Sequence, residues 1–279
     1  MSSESIADSK TDENKLSKKQ IKVIVAVLVA VLAVAGLLLY LLAASLSSRG
    51  SAASLHAIKE YKYETYKAES GMNIHWLMTK PAYVKLETVF DNVTLTEKVG
   101  INGGFFYGET LVSMAVVNGR ALNGPMSRYG SGGENVKYAR GTLVWDGEAD
   151  ALSVQVISKA SELKTKDHTR FWAQGGISMG LGNEDGWAEQ AALENAPFPD
   201  DIRLRSGAVY DKFGNLYLVV SETPGSLDTF RSAILEGVGG GQLVDGVFLD
   251  GDGSSQMLSK EMTLAGDGRP VVQMIRIAK

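Results

Sequence analysis

The chain has 279 residues, 44% hydrophobic and 22% charged, an ordinary globular composition that excludes wholesale disorder, collagen-like repeats and coiled coil. A net charge of −4 and a pI near 5.5 speak against nucleic-acid binding, which needs a basic excess to meet phosphates. With no cysteine, disulfides, thiol catalysis and thiolate zinc sites are excluded, and the only three histidines, His56, His75 and His168, lack ligand spacing.

Residues 1–20 carry four acids and four lysines with no aromatic, and read as a short disordered cytoplasmic tail. Residues 21–43 read as a transmembrane helix, because Val23 to Ala43 is free of charge and about 20 apolar residues cross a bilayer core. Lys15, Lys18, Lys19 and Lys22 precede this run and Arg49 is the first basic residue after it, so the positive-inside rule puts the N-terminus in the cytoplasm. A signal peptide cleaved near Ala43-Ala44-Ser45 is the competing reading. The run is long for that, since signal peptides carry apolar stretches of about 7 to 15 residues. Everything beyond residue 50 is then expected outside the cytoplasm, as a single-pass membrane protein. The lack of cysteine favours a bacterial cell envelope over a disulfide-rich secretory route.

Residues 44–70, with Tyr61, Tyr63 and Tyr66, read as a stalk or a first strand, and residues 71–279 as the folded domain. Within it, NIHWLM from Asn73 and YVKLETVF from Tyr83 have strand texture around the Lys80-Pro81 turn. Further strands are expected over 113–117, 141–145, 152–157, 208–210, 216–220 and 246–249, separated by turns such as Asn118-Gly119, Asp146-Gly147 and Phe213-Gly214-Asn215. Helices are expected over 187–194 and 227–236, the second capped by Ser226 and stopped at Gly237. The fold class is therefore α+β, a strand-rich domain with a mixed or antiparallel sheet and a few helices, preceded by one transmembrane helix. Asn92-Val93-Thr94 is a glycosylation sequon.

Glycine is abundant, and 30 of the 31 lie from Gly50 onward. Two glycine motifs each follow an apolar strand: Asn102-Gly103-Gly104-Phe105-Phe106 and Leu249-Asp250-Gly251-Asp252-Gly253-Ser254-Ser255-Gln256-Met257. Such turns present backbone N–H groups and short side chains to a ligand, because no Cβ blocks close approach. Taken alone, each reads more simply as a structural turn whose asparagine or aspartates bond their own backbone. With Arg205-Ser206-Gly207-Ala208-Val209 between them, the order resembles the phosphodiester glycosidase family over roughly residues 97–257. Two positions depart from that family's pattern: Asp252 stands where the middle of three glycines is usual, and Val209 where a glycine follows the arginine motif.

The resemblance implies hydrolysis of a sugar 1-phosphodiester at its glycosidic bond. A phosphate leaves without full protonation, so such a site needs a cation for the phosphate and a carboxylate near the anomeric carbon rather than the usual acid pair. Arg205 fits the first role, since a guanidinium grips two phosphate oxygens, and Asp250 the second, as nucleophile or general base. Asn102 completes the catalytic set. Gly103, Gly104, Asp252, Gly253, Ser254 and Ser255 are expected against the substrate, with Gly175 and Gly176 of the Gln174-Gly175-Gly176 turn lining the cleft.

Arg205 otherwise pairs with Asp200 or Asp201. Glu109, Asp185 and Glu222 are candidate second carboxylates, each read more simply as a surface acid. Gly239-Gly240-Gly241 lacks the Lys-Ser/Thr of a phosphate loop. Asp250, Asp252, Ser254 and Glu261 follow a calcium-loop count, but Ser255 replaces its glycine and a strand precedes it. No cofactor and no metal are expected. Trp76, Trp145, Trp172 and Trp187 read as core, with Trp172 or Trp187 a possible sugar platform beside the Gln174 turn. The expected partners are a sugar-phosphate glycan or glycoconjugate substrate and the membrane through one helix. The competing functions are a silent glycan-binding envelope protein and a phosphodiesterase that cuts P–O bonds.

Overall fold

The run Leu216–Ser221 alternates its side chains between two apolar environments, which is why it reads as continuously hydrophobic. In the computed structural model, which describes residues 18–126 and 128–278, Leu216, Leu218 and Val220 face one core cluster and Tyr217 and Val219 the other. This strand lies inside a six-stranded sheet whose spatial order is Tyr61–Lys67, Asn73–Thr79, Leu216–Ser221, Ser206–Asp211, Leu243–Phe248 and Ile177–Ser178. Against one face packs the helix Leu227–Gly237, through Leu227, Phe230, Ala233 and Ile234. The Ser226 hydroxyl accepts the Thr229 N–H at 3.0 Å, capping that helix.

Against the other face pack two five-stranded sheets. One runs Ala151–Ile157, Arg140–Asp146, Phe171–Gly175, Ala115–Val117 and Arg120–Ala121; the other runs Thr263–Leu264, Met257–Leu258, Gly100–Asn102, Val271–Ile277 and Val84–Asp91. Their Leu143, Trp145, Trp172, Ile101, Ile275 and Ile277 meet Leu77, Ala208 and Val247 of the central sheet. Every registered strand pair is antiparallel, so the fold is α+β of the antiparallel kind. The expected helices are found at Trp187–Leu193 and Leu227–Gly237. Tyr61–Lys67 pairs along its whole length with Asn73–Thr79, which makes it an edge strand. Two longer strands, Phe171–Gly175 and Val271–Ile277, lie in stretches to which the sequence reading assigns none, as do the two-residue strands Phe106–Tyr107, Thr110–Leu111, Arg120–Ala121, Ile177–Ser178, Met257–Leu258 and Thr263–Leu264. The Asn92 sequon is occupied internally: its amide donates to Ala265 O and Arg269 O, and its Oδ1 accepts from Thr94 N.

The chain divides at Ser51 and Ala52 into two compact units. In the first, Ile21–Leu41 lies within the helix Lys18–Ala57 and is long and apolar enough to cross a membrane, a property that an anchor and a signal sequence share. The expected tail falls largely on residues 1–17, outside the described residues.

Candidate active site

Two strands of different sheets end side by side, and their glycine turns are stitched together by one amide. Asn102 closes Gly100–Asn102, and its Nδ2 donates to Asp250 O at 2.7 Å and Gly103 O at 3.3 Å. Its Oδ1 accepts from Ser206 Oγ at 2.8 Å and Gln256 N at 3.0 Å. All four capacities of the amide are used and the residue is 1% exposed. Asn102, expected to touch substrate, instead fixes the loop that carries Asp250.

The glycines of the motifs also turn toward protein rather than ligand. A Cβ on Gly103 would stand 1.8 Å from Gln273 Oε1, on Gly104 2.2 Å from Ser113 Oγ, and on Gly253 2.2 Å from Asp267 Oδ2. On Gly175 it would stand 2.4 Å from Asn135 Oδ1, and on Gly176 2.2 Å from Phe248 O. Gly175 and Gly176 do not line the cavity that holds Asp250; the first makes room for Asn135 and Met114, the second for Phe248 of the six-stranded sheet. Gln273 ties these turns together, a role the sequence reading missed. Its Oε1 accepts from Gly104 N at 3.1 Å, and its Nε2 donates to Gln174 Oε1 at 2.8 Å. Ser255 is buried with its hydroxyl unpartnered and lies outside the cavity lining.

Above this platform opens a cavity of about 260 Å³. Asp250, Asp252, Ser254 and Arg205 line it, as the motifs lead one to expect. Arg203 and Arg269 line it too, and the sequence reading passed over both. The signal for Arg203 was present: in Arg203-Leu204-Arg205 the extended chain puts both arginines on one side. Phe105, Phe106, Phe198 and Phe248 add aromatic wall. The lining carries three guanidinium groups against two carboxyls.

Arg205 is 4% exposed, and among the described residues its hydrogen-bond partners are backbone carbonyls rather than a carboxylate. Its Nε donates to Gly225 O at 2.9 Å, and its Nη2 to Phe198 O at 2.9 Å and Asp201 O at 2.5 Å. Nη1 has no hydrogen-bond partner among the described residues. Burial, with the charge of Arg203 beside it, pushes the guanidinium down from its ordinary value. Asp201 pairs instead with Arg203, which also reaches Asp252 at 2.9 Å and lies 4.1 Å over the Phe198 ring. Burial lifts the Asp250 carboxyl to about 7, with the Ser254 hydroxyl and the Arg269 charge pulling it back and Asp252 pushing it up. A carboxyl poised there exchanges a proton readily at neutral pH.

Glu109, Asp185 and Glu222 lie outside this lining, and Glu222 accepts from the buried His75. Trp172 is a core residue donating to Pro81 O, and Trp187 stacks under Arg231, so neither stands in this cavity.

No family model and no curated protein sequence matches the chain. Among solved structures, it is similar to the catalytic domain of zebrafish N-acetylglucosamine-1-phosphodiester alpha-N-acetylglucosaminidase, auto-inhibited by its pro-peptide. The TM-score is 0.56 at 14% identity, over 78% of this chain and 82% of that one. A hypothetical protein from Synechocystis aligns at TM-score 0.44 and 14% identity, over 77% of this chain and 61% of the other. A putative exported protein from Burkholderia pseudomallei K96243 aligns at 0.34 and 14%, over 79% and 58%. The relation to the zebrafish hydrolase is one of fold.

Proposed function

We propose that this chain is a membrane-anchored hydrolase whose domain beyond residue 50 works outside the cytoplasm, cleaving the glycosidic bond of a sugar 1-phosphodiester on an envelope glycan or glycoconjugate. The reading rests on one observation above others: a half-buried carboxyl, Asp250, shares a small cavity with Arg203, Arg205 and Arg269, and desolvation there lifts it to about 7. The likeness of fold to a phosphodiester glycosidase and the apolar helix near the N-terminus support it.

In this reading the guanidinium groups hold the phosphate, Arg205 through its free Nη1 edge, and Asp250 acts as general base. Water attacks the anomeric carbon while Asp250 takes its proton. The bond from that carbon to the bridging oxygen breaks, and the phosphomonoester departs with the electron pair, its charge met by the arginines. A base of this kind makes kcat/KM rise with pH through about 7. A binding-only reading draws on the Arg203 pairing with Asp201 and Asp252, which already occupies one of the three cations.

The test is turnover of an N-acetylglucosamine 1-phosphodiester by the full chain in heavy-oxygen water. The expected result is label in the sugar and none in the phosphate, with turnover abolished in Asp250→Asn while folding is kept. Label in the phosphate makes the chain a phosphodiesterase. Binding without turnover leaves a glycan-binding protein.

A further inference from the structure

A second cavity, open and of about 700 Å³, lies beside the first. No residue lines both, but neighbouring residues of the chain do, and the Arg140 guanidinium of the second lies over the Phe105 ring of the first. Phe105 and Phe106 line the first, and the next residue, Tyr107, lines the second; Pro197 and Phe198 line the first, and Asn195 the second.

Its floor is built around Arg140, which is 8% exposed. The guanidinium lies between two rings, 5.3 Å from the centre of Phe105 and 5.4 Å from that of Tyr138. Its Nε donates to Glu194 O at 3.0 Å and its Nη2 to Asn195 O at 3.2 Å, while Nη1 has no hydrogen-bond partner among the described residues. The neighbouring Glu194 carboxylate does not pair with it: one oxygen accepts from Gly141 N and Ser178 N, and the other from Gln190. This is the arrangement of Arg205 repeated, a buried guanidinium fixed on backbone carbonyls with one edge left over. Burial pushes both arginines down from their ordinary value.

Lys137 adds a second cation on the rim, and no acidic side chain lines the cavity among the described residues. Tyr107 and Tyr129 stand out of the surface, 83% and 64% exposed, and Tyr138 is exposed as well. Exposed tyrosines around a polar groove suit sugar rings, to which they offer an apolar face and a hydroxyl, and a guanidinium edge suits a phosphate.

We propose that this cavity is a second subsite, binding an anionic sugar unit next to the one that is cleaved, so that the substrate is a chain repeating sugar and phosphate rather than a single phosphodiester. The proposal rests on the function proposed above and names its substrate class. One charge-assisted contact more on the same ligand raises affinity by about tenfold or more.

The experiment is calorimetry on the full chain in detergent micelles carrying Asp250→Asn, which prevents turnover. The probes are an N-acetylglucosamine 1-phosphodiester with one phosphate and its two-unit repeat with two. The expected result is about tenfold tighter binding of the two-phosphate ligand. Adding Lys137→Gln and Tyr138→Ala, both at exposed positions, brings its affinity down to that of the one-phosphate ligand, and Arg140→Lys lowers it in the same direction. Equal affinities without those changes overturn the proposal, as does a preference that survives them or binding of neither ligand. The function fails separately. A native chain that hydrolyses the one-phosphate compound but shows no preference keeps the glycosidase and loses the subsite; one that hydrolyses nothing yet shows the preference keeps the subsite and loses the glycosidase.

Discussion

Asp252 has φ 56°, the left-handed region that glycine enters freely and most side chains avoid. A glycine would take this backbone shape without strain, so some other gain must hold a side chain here. What the carboxylate adds is a hold on Arg203. Asp252→Gly relieves the backbone and loses a half-exposed ion pair, two effects of about 1 kcal/mol each and opposite sign, so thermal unfolding should move little. Inorganic phosphate should bind the variant more tightly, because a negative charge leaves the cavity and Nη1 of Arg203 is released while Asp201 keeps its Nε and Nη2; unchanged or weaker binding in a titration removes Arg203 from the anion site. Asn102→Ala should instead lower stability by about 3 kcal/mol, since Ser206, Gln256 N and the Asp250 carbonyl lose a buried partner together. Denaturant midpoints compare the two variants directly. At this scale the resemblance, rather than residue type, singles out Asp250, Arg205 and Ser254, since an aspartate or arginine taken alone reads as a turn or a surface ion pair; all three line the cavity. The glycines were not legible, because a missing Cβ admits a ligand or a neighbouring strand equally, and the neighbours here, Gln273 and Asn135, are remote in sequence.

The two helices of the folded domain and most of its longer strands were legible at the scale of elements, since caps, turns and apolar runs are local signals, whereas the two-residue strands leave no such run. Ser226 is an instance: it caps Leu227–Gly237, and Ser226→Ala should lower stability by about 1 kcal/mol in thermal or urea unfolding. Val271–Ile277 was missed because Gln273 interrupts its apolar run. That glutamine is 1% exposed and bonded within the core, so its polarity signals a junction rather than a surface. Gln273→Leu leaves the Gly104 N–H and the Gln174 amide without their partner. The expected outcome is a loss of about 1 to 3 kcal/mol of stability, with faster amide hydrogen exchange at Gly104.

For the whole molecule, holding Asp250 in its cavity works against the fold. A carboxyl whose folded value is raised from 3.8 to about 7 binds its proton more tightly folded than unfolded. Its contribution therefore weakens stability as pH climbs from about 4 to 7, and the full deficit is present above 7. Unfolding free energy should fall between pH 5 and 8, and Asp250→Asn, which carries no charge to bury, should flatten that slope and raise the melting temperature at pH 8. A variant no more stable than the parent at pH 8 contradicts a carboxyl held in this way.

The bond from Gly104 to Gln273 joins residues 169 apart, and that from Gln174 to Gln273 joins residues 99 apart. A ribosome adding about 5–20 residues per second needs roughly 10 to 30 s to cover the longer interval. Until Gln273 emerges, Gly104 and Gln174 lack the one side chain that joins them. Through the same interval Gly100–Asn102 and Val84–Asp91 wait for Val271–Ile277, the last strand made and the one that lies between them, so the apolar faces of this sheet stay open until synthesis is nearly over.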